Sequence, residues 1–382
     1  MRILVASHTY VTDLNCEKFR SLARLGASVA IVVPRRWRPG GVQTQTIRPQ
    51  SRQEENFRIV PVSNFSQNHQ GLLTFGADLL PLLHQFRPQI IQVEQGTKSL
   101  GYAQLISLNR LLDLQAKNVF FTWWNLPYTL KFPLAQLETY NLRYTDGAIA
   151  GNQAATEILQ QRGYRKSIAV IPQLGVDAQR FCRQSQPELA AELNLLPTDF
   201  VVGFIGRFVA EKGLLTLAAA LQSLSHFSWK LLLVGRGSLA AVLRQQLGDR
   251  LICVNSVPHV EVPRYLNLMN VLVLPSETSQ TFKTLSASGW KEQFGHVLIE
   301  AMACQVPVIG SDSGEIPNVI GEAGLIFPEG SVAALRHCLL QMMQPNVAAK
   351  FAKQGFDRAL KHYTNAALAQ KQLAFYQQLL NP

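Results

Sequence analysis

Short, almost wholly apolar runs recur along this chain, each leading into a polar or glycine-bearing loop and then a segment with helical spacing. In the first half they fall at residues 3–6, 28–33, 57–62, 90–93, 117–122, 147–150 and 168–171. In the second half they fall at 201–205, 230–234, 251–254, 271–274, 306–309 and 323–327. A strand that is apolar at every position is buried on both faces, and such strands belong to parallel sheets covered by helices on both sides. The alternation therefore predicts an α/β protein built from two Rossmann-like, doubly wound parallel sheets. A length of 382 residues suits two domains. The first is expected over 1–180 and the second over 181–359, followed by a terminal helix from about 360 to 382. Residues 72–86 read as helical, with Pro81 as a kink or break, and Asn152 as the N-cap of the helix that follows Asn152. Residues 39–56, with Gly40, Gly41, Arg48 and Arg52, read as an exposed connection, and 348–380 as a long helical stretch.

The most informative stretch is 290–317, WKEQFGHVLIEAMACQVPVIGSDSGEIP. A helix should start near Gly295, where free backbone N–H groups and the positive dipole end form an anion site. Glu292 stands in the loop just before it. Glu300 lies about one and a half turns in, roughly 7 Å along the axis, close to the span from a diphosphate to its ribose. The plainer alternative is a Glu favouring the helix dipole and a second Glu on a solvated face. In open parallel sheets ligands bind beyond the carboxyl ends of the strands. There the second half also places Arg207 and Lys212 after one strand, and Gly235 and Gly237 after another. Two cations, a helix start and two carboxylates on one rim suit a nucleoside diphosphate bearing a sugar. Glu300 would accept from ribose hydroxyls and Glu292 from the transferred sugar, while the glycines let a base or ribose approach the backbone. Taken singly, Arg207 and Lys212 could be surface charges and Gly235 an ordinary turn.

Charge is uneven. The net charge is +11, and residues 1–180 hold 20 Lys/Arg against 11 Asp/Glu, a balance of +9. That half is the one expected to face something anionic, unless the charge serves solubility alone. Arg35, Arg36 and Arg38 around Trp37 suggest docking on an anionic membrane surface, with Trp37 as the interfacial anchor. No apolar run reaches 18 residues, and MRILVAS reads as a first strand rather than a signal peptide. Five scattered cysteines without CxxC spacing predict reduced thiols, no metal site and a cytoplasmic protein, peripheral at most on the inner face of the plasma membrane.

The segments GFIGRFVAEKG, LLLVGRG, LVLPSE and KEQFGHVLIEAMACQVPVIGSDSGEIP resemble the retaining glycosyltransferases of family 4 (group 1 type), which have the two-domain GT-B fold. The likeness covers about 200–330, and GAIAGNQAA and IPQLGVD extend it back to about residue 147. It implies Glu292, Arg207 and Lys212 as catalytic residues, and Gly206, Gly235, Gly237, Phe294, Gly295, His296, Val297 and Glu300 as donor-binding residues. It further implies a donor cleft facing an acceptor-binding first domain, closure with hinges near residues 173–177, and a terminal helix that returns to the first domain. Two features depart from the family. The first loop, residues 7–13, lacks the Gly-Gly pair that many members carry, and 122–125 reads Thr-Trp-Trp-Asn where many carry a His. His8, Asn125 and Glu94 are therefore the acceptor-side candidates. The Ser/Thr-rich stretch 277–289 is longer than usual and reads as a loop, either an acceptor lid or a surface insertion.

The expected activity is transfer of a hexose from a UDP- or GDP-sugar to a lipid-linked or polysaccharide acceptor, in cell-surface or exopolysaccharide synthesis. No Asp-x-Asp motif is present, so no metal is expected: Arg207, Lys212 and the helix dipole would take a metal's electrostatic part. Replacing Glu292 or Lys212 by Ala is expected to abolish turnover with the fold intact. The rivals are a nucleotide-sugar epimerase or hydrolase of the same fold, and a non-catalytic basic protein binding membrane or nucleic acid. Nucleic acid is disfavoured, because no helix-turn-helix spacing or RNP-like aromatic motif appears.

Overall fold

The computed structural model describes residues 1–39, 45–283 and 288–381; Gly40, Gly41 and part of the Ser/Thr-rich stretch lie outside them. The chain divides into two units, Met1–Gly175 with Asn365–Pro382, and Val176–Thr364.

The first unit is built on an eight-stranded sheet of β1 (Arg2–Ala6), β2 (Ser28–Pro34), β3 (Arg52–Gln53), β4 (Phe57–Val62), β5 (Ile90–Val93), β6 (Lys117–Thr122), β7 (Gly147–Ala150) and β8 (Ser167–Val170). The spatial order is β8-β7-β6-β5-β1-β2-β4-β3. Every pairing is parallel except β3 with β4. That edge strand lies in the stretch read as a plain connection; its side chains are exposed, so no apolar pattern marks it. At the centre, Ile3, Leu4, Val5 and Ala6 are fully buried, each large side chain being worth about 1.5–3 kcal/mol.

The covering helices are α1 (Glu17–Arg24), α2 (Leu79–Phe86), α3 (Leu100–Leu111), α4 (Leu134–Arg143) and α5 (Gln153–Gln161). Asn152 caps α5, accepting from the Ala155 N–H at 2.8 Å. The expected helix over 72–86 is corrected: a short strand, Thr74–Phe75, intervenes and α2 begins only at Leu79. Pro81 then falls in the first helical turn, where its missing N–H leaves nothing unsatisfied and no kink is needed. The long terminal stretch is also two helices, Pro345–His362 in the second unit and Asn365–Leu380 in the first. The last helix packs on the first unit through Phe375 and Leu379, which crowd Gly147 so closely that a Cβ there would lie 2.7 Å from Leu379 Cδ1. Its Tyr376 hydroxyl donates to Gln92 Oε1 at 2.5 Å, and Gln372 Nε2 donates to the same oxygen at 3.1 Å.

The second unit has a six-stranded parallel sheet of β9 (Phe200–Arg207), β10 (Trp229–Arg236), β11 (Leu251–Val254), β12 (Val271–Leu274), β15 (Val308–Ser311) and β16 (Leu325–Phe327). Between β12 and β15 the chain forms an antiparallel hairpin, β13 (Ser279–Lys283) and β14 (Ser288–Trp290). Most of the described part of the Ser/Thr-rich stretch is thus paired strand rather than loop, a correction to which the β-branched Thr281 contributes. The six strands order as β11-β10-β9-β12-β15-β16. The order reverses between β9 and β12, and the carboxyl ends there are where a ligand crevice is expected. Two helices border that point, α6 (Leu214–Gln222) after β9 and α7 (His296–Ala303) after the hairpin.

Candidate functional site

The loop that follows β9 carries Arg207 and Lys212, and it is tied to the loop after β12. Glu277 donates its N–H to the Glu211 carbonyl at 3.0 Å, and a Cβ on Gly213 would lie 1.8 Å from the Pro275 carbonyl oxygen. This fastening sets Lys212 across the switch point. Its Nζ reaches Glu292 Oε2 at 2.5 Å, and Ser276 Oγ donates to the same oxygen at 2.8 Å. The Trp290 ring, delivered by β14, faces the ammonium at 4.7 Å. The Glu292 backbone is fixed as well, since Glu315 donates its N–H to the Glu292 carbonyl at 3.1 Å. Both partners are nearly dry, with side chains 15% and 10% exposed, so their attraction is little screened.

Helix α7 begins at Gly295, whose φ of 79° is left-handed and whose absent Cβ leaves room for Leu274 Cδ2. Its residues 298–303 are all buried. Glu300 is therefore not on a solvated face, and the plainer alternative for it does not hold; Glu292 is buried as well, just before the helix start. Glu300 Oε1 lies 2.7 Å from His259 Nε2. His259 opens the turn after β11 and rests on Phe181, ring centroids 5.2 Å apart. Its hydrogen bond with Glu300, opposed in part by burial, raises its pKa above 6.5.

Among the sequence candidates, Lys212 and Glu292 are in direct contact, while Glu300 pairs with a residue that sequence reasoning did not select. Arg207 reaches neither acid: it is half exposed and lies 3.5 Å from Glu211. Phe294 is buried, its ring centroid 5.5 Å from that of His296, and His296 and Val297 are half-buried at the start of α7. Gly206 and Gly235 pair in register across β9 and β10, and a Cβ on Gly235 would sit 1.9 Å from the Gly206 carbonyl oxygen. A Cβ on Gly237 would meet the Phe208 carbonyl oxygen at 2.2 Å. These two glycines are required by backbone against backbone, whatever ligand lies beyond. His259 is a lone histidine in VPHVEVP, and only the fold brings it to Glu300, 41 residues away.

In the first unit the acceptor-side candidates sit at the carboxyl ends of β1, β5 and β6. Glu94 is the hub of a buried network, accepting from the Tyr10 hydroxyl at 2.6 Å and from Gln92 and Gln173 amides at 2.7 Å each. The fully buried Lys18 donates to the Pro172 carbonyl at 3.3 Å, and burial lowers its pKa to about 8 against the pull of Glu94. A carboxylate so fully engaged is scaffold rather than an open acceptor group. His8 packs at a tilt against Trp37, ring centroids 4.7 Å apart, and burial lowers its pKa to about 4, so it is a neutral imidazole at pH 7. Its Nδ1 is buried without a hydrogen-bond partner among the described residues. Asn125 is buried after β6. The expected membrane anchor is corrected: Trp37 is only 4% exposed and belongs to the core. Arg35, Arg36 and Arg38 remain exposed.

Among the described residues no group of three or more His, Cys, Asp or Glu could hold a metal ion, and no helix is long and apolar enough to cross a membrane. Comparison with known proteins agrees with the second unit's architecture. Residues 199–345 match the family model of glycosyl transferases group 1, so the chain carries a domain of that type. The chain is 26% identical over 223 residues to 2-deoxystreptamine N-acetyl-D-glucosaminyltransferase of Streptomyces fradiae, covering 52% of this chain and 50% of that one. It is 32% identical over 150 residues to the capsular polysaccharide biosynthesis glycosyltransferase CapM of Staphylococcus aureus, covering 37% and 36%. The chain thus spans half or less of the length of these relatives. The structure of Anabaena Alr3699/HepE in complex with UDP superposes with a TM-score of 0.72 at 16% identity, over 99% of this chain and 100% of that one. That likeness establishes the GT-B fold, two Rossmann-like units with parallel sheets.

Proposed function

We propose that this chain is a retaining, metal-independent glycosyltransferase that moves a hexose from a UDP- or GDP-sugar to a lipid-linked or polysaccharide acceptor. The observation that carries this is the Lys212–Glu292 pair at the switch point of the second sheet, immediately before the amides of α7. The relatives named as a 2-deoxystreptamine N-acetyl-D-glucosaminyltransferase and a capsular polysaccharide biosynthesis glycosyltransferase support the transferase class, and the HepE complex with UDP supports a nucleotide donor on this fold. In this reading the amides at the start of α7, Arg207 and Lys212 meet the charge that develops on the diphosphate. Glu292 accepts from hydroxyls of the transferred sugar, and Glu300 from the ribose. The acceptor oxygen forms its bond to the anomeric carbon on the face from which the diphosphate departs. The carbon–oxygen bond to phosphate breaks, and the leaving phosphate oxygen takes the acceptor's proton. An anionic lipid surface would meet the exposed Arg36 and Arg38 of the first unit rather than Trp37.

The test is a panel of UDP- and GDP-sugars, with and without lipid-linked acceptors, read by thermal shift and by NMR of the product's anomeric centre. Stabilisation by one donor, a product of unchanged anomeric configuration and turnover that persists in EDTA are expected. Sugar release or epimerisation without acceptor would move the assignment to the hydrolase or epimerase class. No shift and no turnover with any donor would remove it.

A further inference from the structure

Glu300 poses a problem that its pairing with His259 only half solves. Its side chain is 8% exposed, and it sits among buried Leu298, Ile299 and Ala301. A carboxylate in such surroundings needs donors for both oxygens. His259 Nε2 serves Oε1 at 2.7 Å, and among the described residues no hydrogen bond serves Oε2. The imidazole itself is doubly held, by that bond and by the buried Phe181 ring, tilted at 45° to it with centroids 5.2 Å apart, while its side chain stays 52% exposed. A mobile surface pair would contribute little and specify nothing. This pair has one end buried in α7 and the other held on a fixed ring, which is how a carboxylate is aimed rather than neutralised.

We propose that His259 is a positioning residue for donor recognition, holding Glu300 by Oε1 so that Oε2 accepts from the vicinal hydroxyls of the donor's ribose. This rests on the donor reading above and adds the residue that makes Glu300 selective. The charged and aromatic groups around the imidazole are Glu300, Arg180 and Phe181; Phe181 has no donor, and the Arg180 guanidinium lies 3.9 Å from Asp177. Selectivity follows from the diol: a 2′-deoxyribose offers one hydroxyl fewer to an oxygen that has no other partner.

The experiment is calorimetric titration of UDP, GDP and their 2′-deoxy counterparts into wild-type protein, His259→Ala, His259→Asn and His259→Gln. Wild type should prefer the ribonucleotide by about tenfold, the order of one hydrogen bond to a charged group. His259→Ala and His259→Asn should lose most of that preference, and His259→Gln, whose amide can donate to the same oxygen, should recover it. In turnover the Ala variant should raise the donor KM with kcat little changed. Should His259→Ala unfold, His259→Asn carries the same comparison. Equal wild-type affinity for ribo- and 2′-deoxyribonucleotides, or a preference that survives in His259→Ala or His259→Asn, would overturn the proposal with the donor reading intact. Failure of wild type to bind any nucleoside diphosphate would overturn both.

Discussion

Replacing Lys212 by Met tests whether the site's central pair is also a structural one. The substitution keeps the length of the stem but removes the ammonium from a contact of 2.5 Å between side chains 15% and 10% exposed. Breaking one side of a buried ion pair costs about 3–5 kcal/mol, because the remaining charge is left in a dry site. Here Ser276 still donates to Glu292, so the lower end, about 3 kcal/mol, is the expected loss. For a unit of the size of Val176–Thr364 that corresponds to about 6–12 °C in Tm. Glu292→Gln should cost a similar amount, since it strands the ammonium instead. The double variant removes both charges and should regain about 2 kcal/mol relative to the sum of the singles, while remaining without turnover. Scanning calorimetry on the four proteins, with urea melts as a second measure, provides the cycle. Wild-type melting in Lys212→Met, or strict additivity in the double variant, would show that the pair does not bear on the fold. The expectation from sequence, loss of turnover with the fold intact, is therefore refined: part of the fold's stability should go with it.

Gly147→Val should destabilise the first unit by about 2–3 kcal/mol, as an overpacked contact against Phe375 and Leu379 of the terminal helix; a urea midpoint unchanged from wild type would contradict that packing. His8 gives the first unit an acid-sensitive window. Its pKa is about 4 folded against 6.5 unfolded, so above 6.5 neither state binds the proton, and as pH falls toward 4 the unfolded state alone gains it. Stability should drop by about 3 kcal/mol over that window, and His8→Phe should lack this part of the loss in urea melts at pH 7.5 and 4.5. On vesicles containing anionic lipid, Arg36→Glu with Arg38→Glu should weaken co-sedimentation, whereas Trp37→Phe should not, because Trp37 is core.

The strands of both sheets were legible because each is buried on two faces and reads as a continuous apolar run, as in Ile3-Leu4-Val5-Ala6. The paired acids were legible because eight residues of spacing spans a helix start. Other features were hidden for physical reasons. The run from Leu72 to Phe86 is mostly apolar, so periodicity alone could not separate the strand at Thr74–Phe75 from the helix that begins at Leu79. The hairpin that carries Trp290 is polar and gives no alternating signal. Trp37, beside three arginines, looked like an interfacial anchor; its burial under His8 is a tertiary fact. Gly235 looked like a ligand-facing turn, yet it is required by the Gly206 carbonyl of the next strand. The His259–Glu300 contact joins two elements from opposite sides of the switch point, and no local pattern encodes it.

The two acids share a motif but not a situation, and the difference bears on how a donor would be held. Glu292 shares a full cation with Ser276, whereas Glu300 leaves an oxygen for a ligand. An ammonium already bonded to a carboxylate has less to give a diphosphate, since the same charge must be divided between two anions. If Lys212 meets the diphosphate, the donor therefore competes with Glu292 for it, and the sugar's hydroxyls compensate the carboxylate that is released. A nucleoside diphosphate without sugar takes the ammonium and returns nothing to Glu292. It follows that Glu292→Gln should bind UDP or GDP more tightly than wild type, by about tenfold for one charge-assisted hydrogen bond freed, although it transfers no sugar. The gain should shrink for the complete donor, whose hydroxyls lose their acceptor. Titration calorimetry with the diphosphate and the donor side by side decides this: equal or weaker diphosphate binding by Glu292→Gln would mean that Lys212 stays with Glu292 throughout, and that Arg207 and the α7 amides meet the phosphates alone.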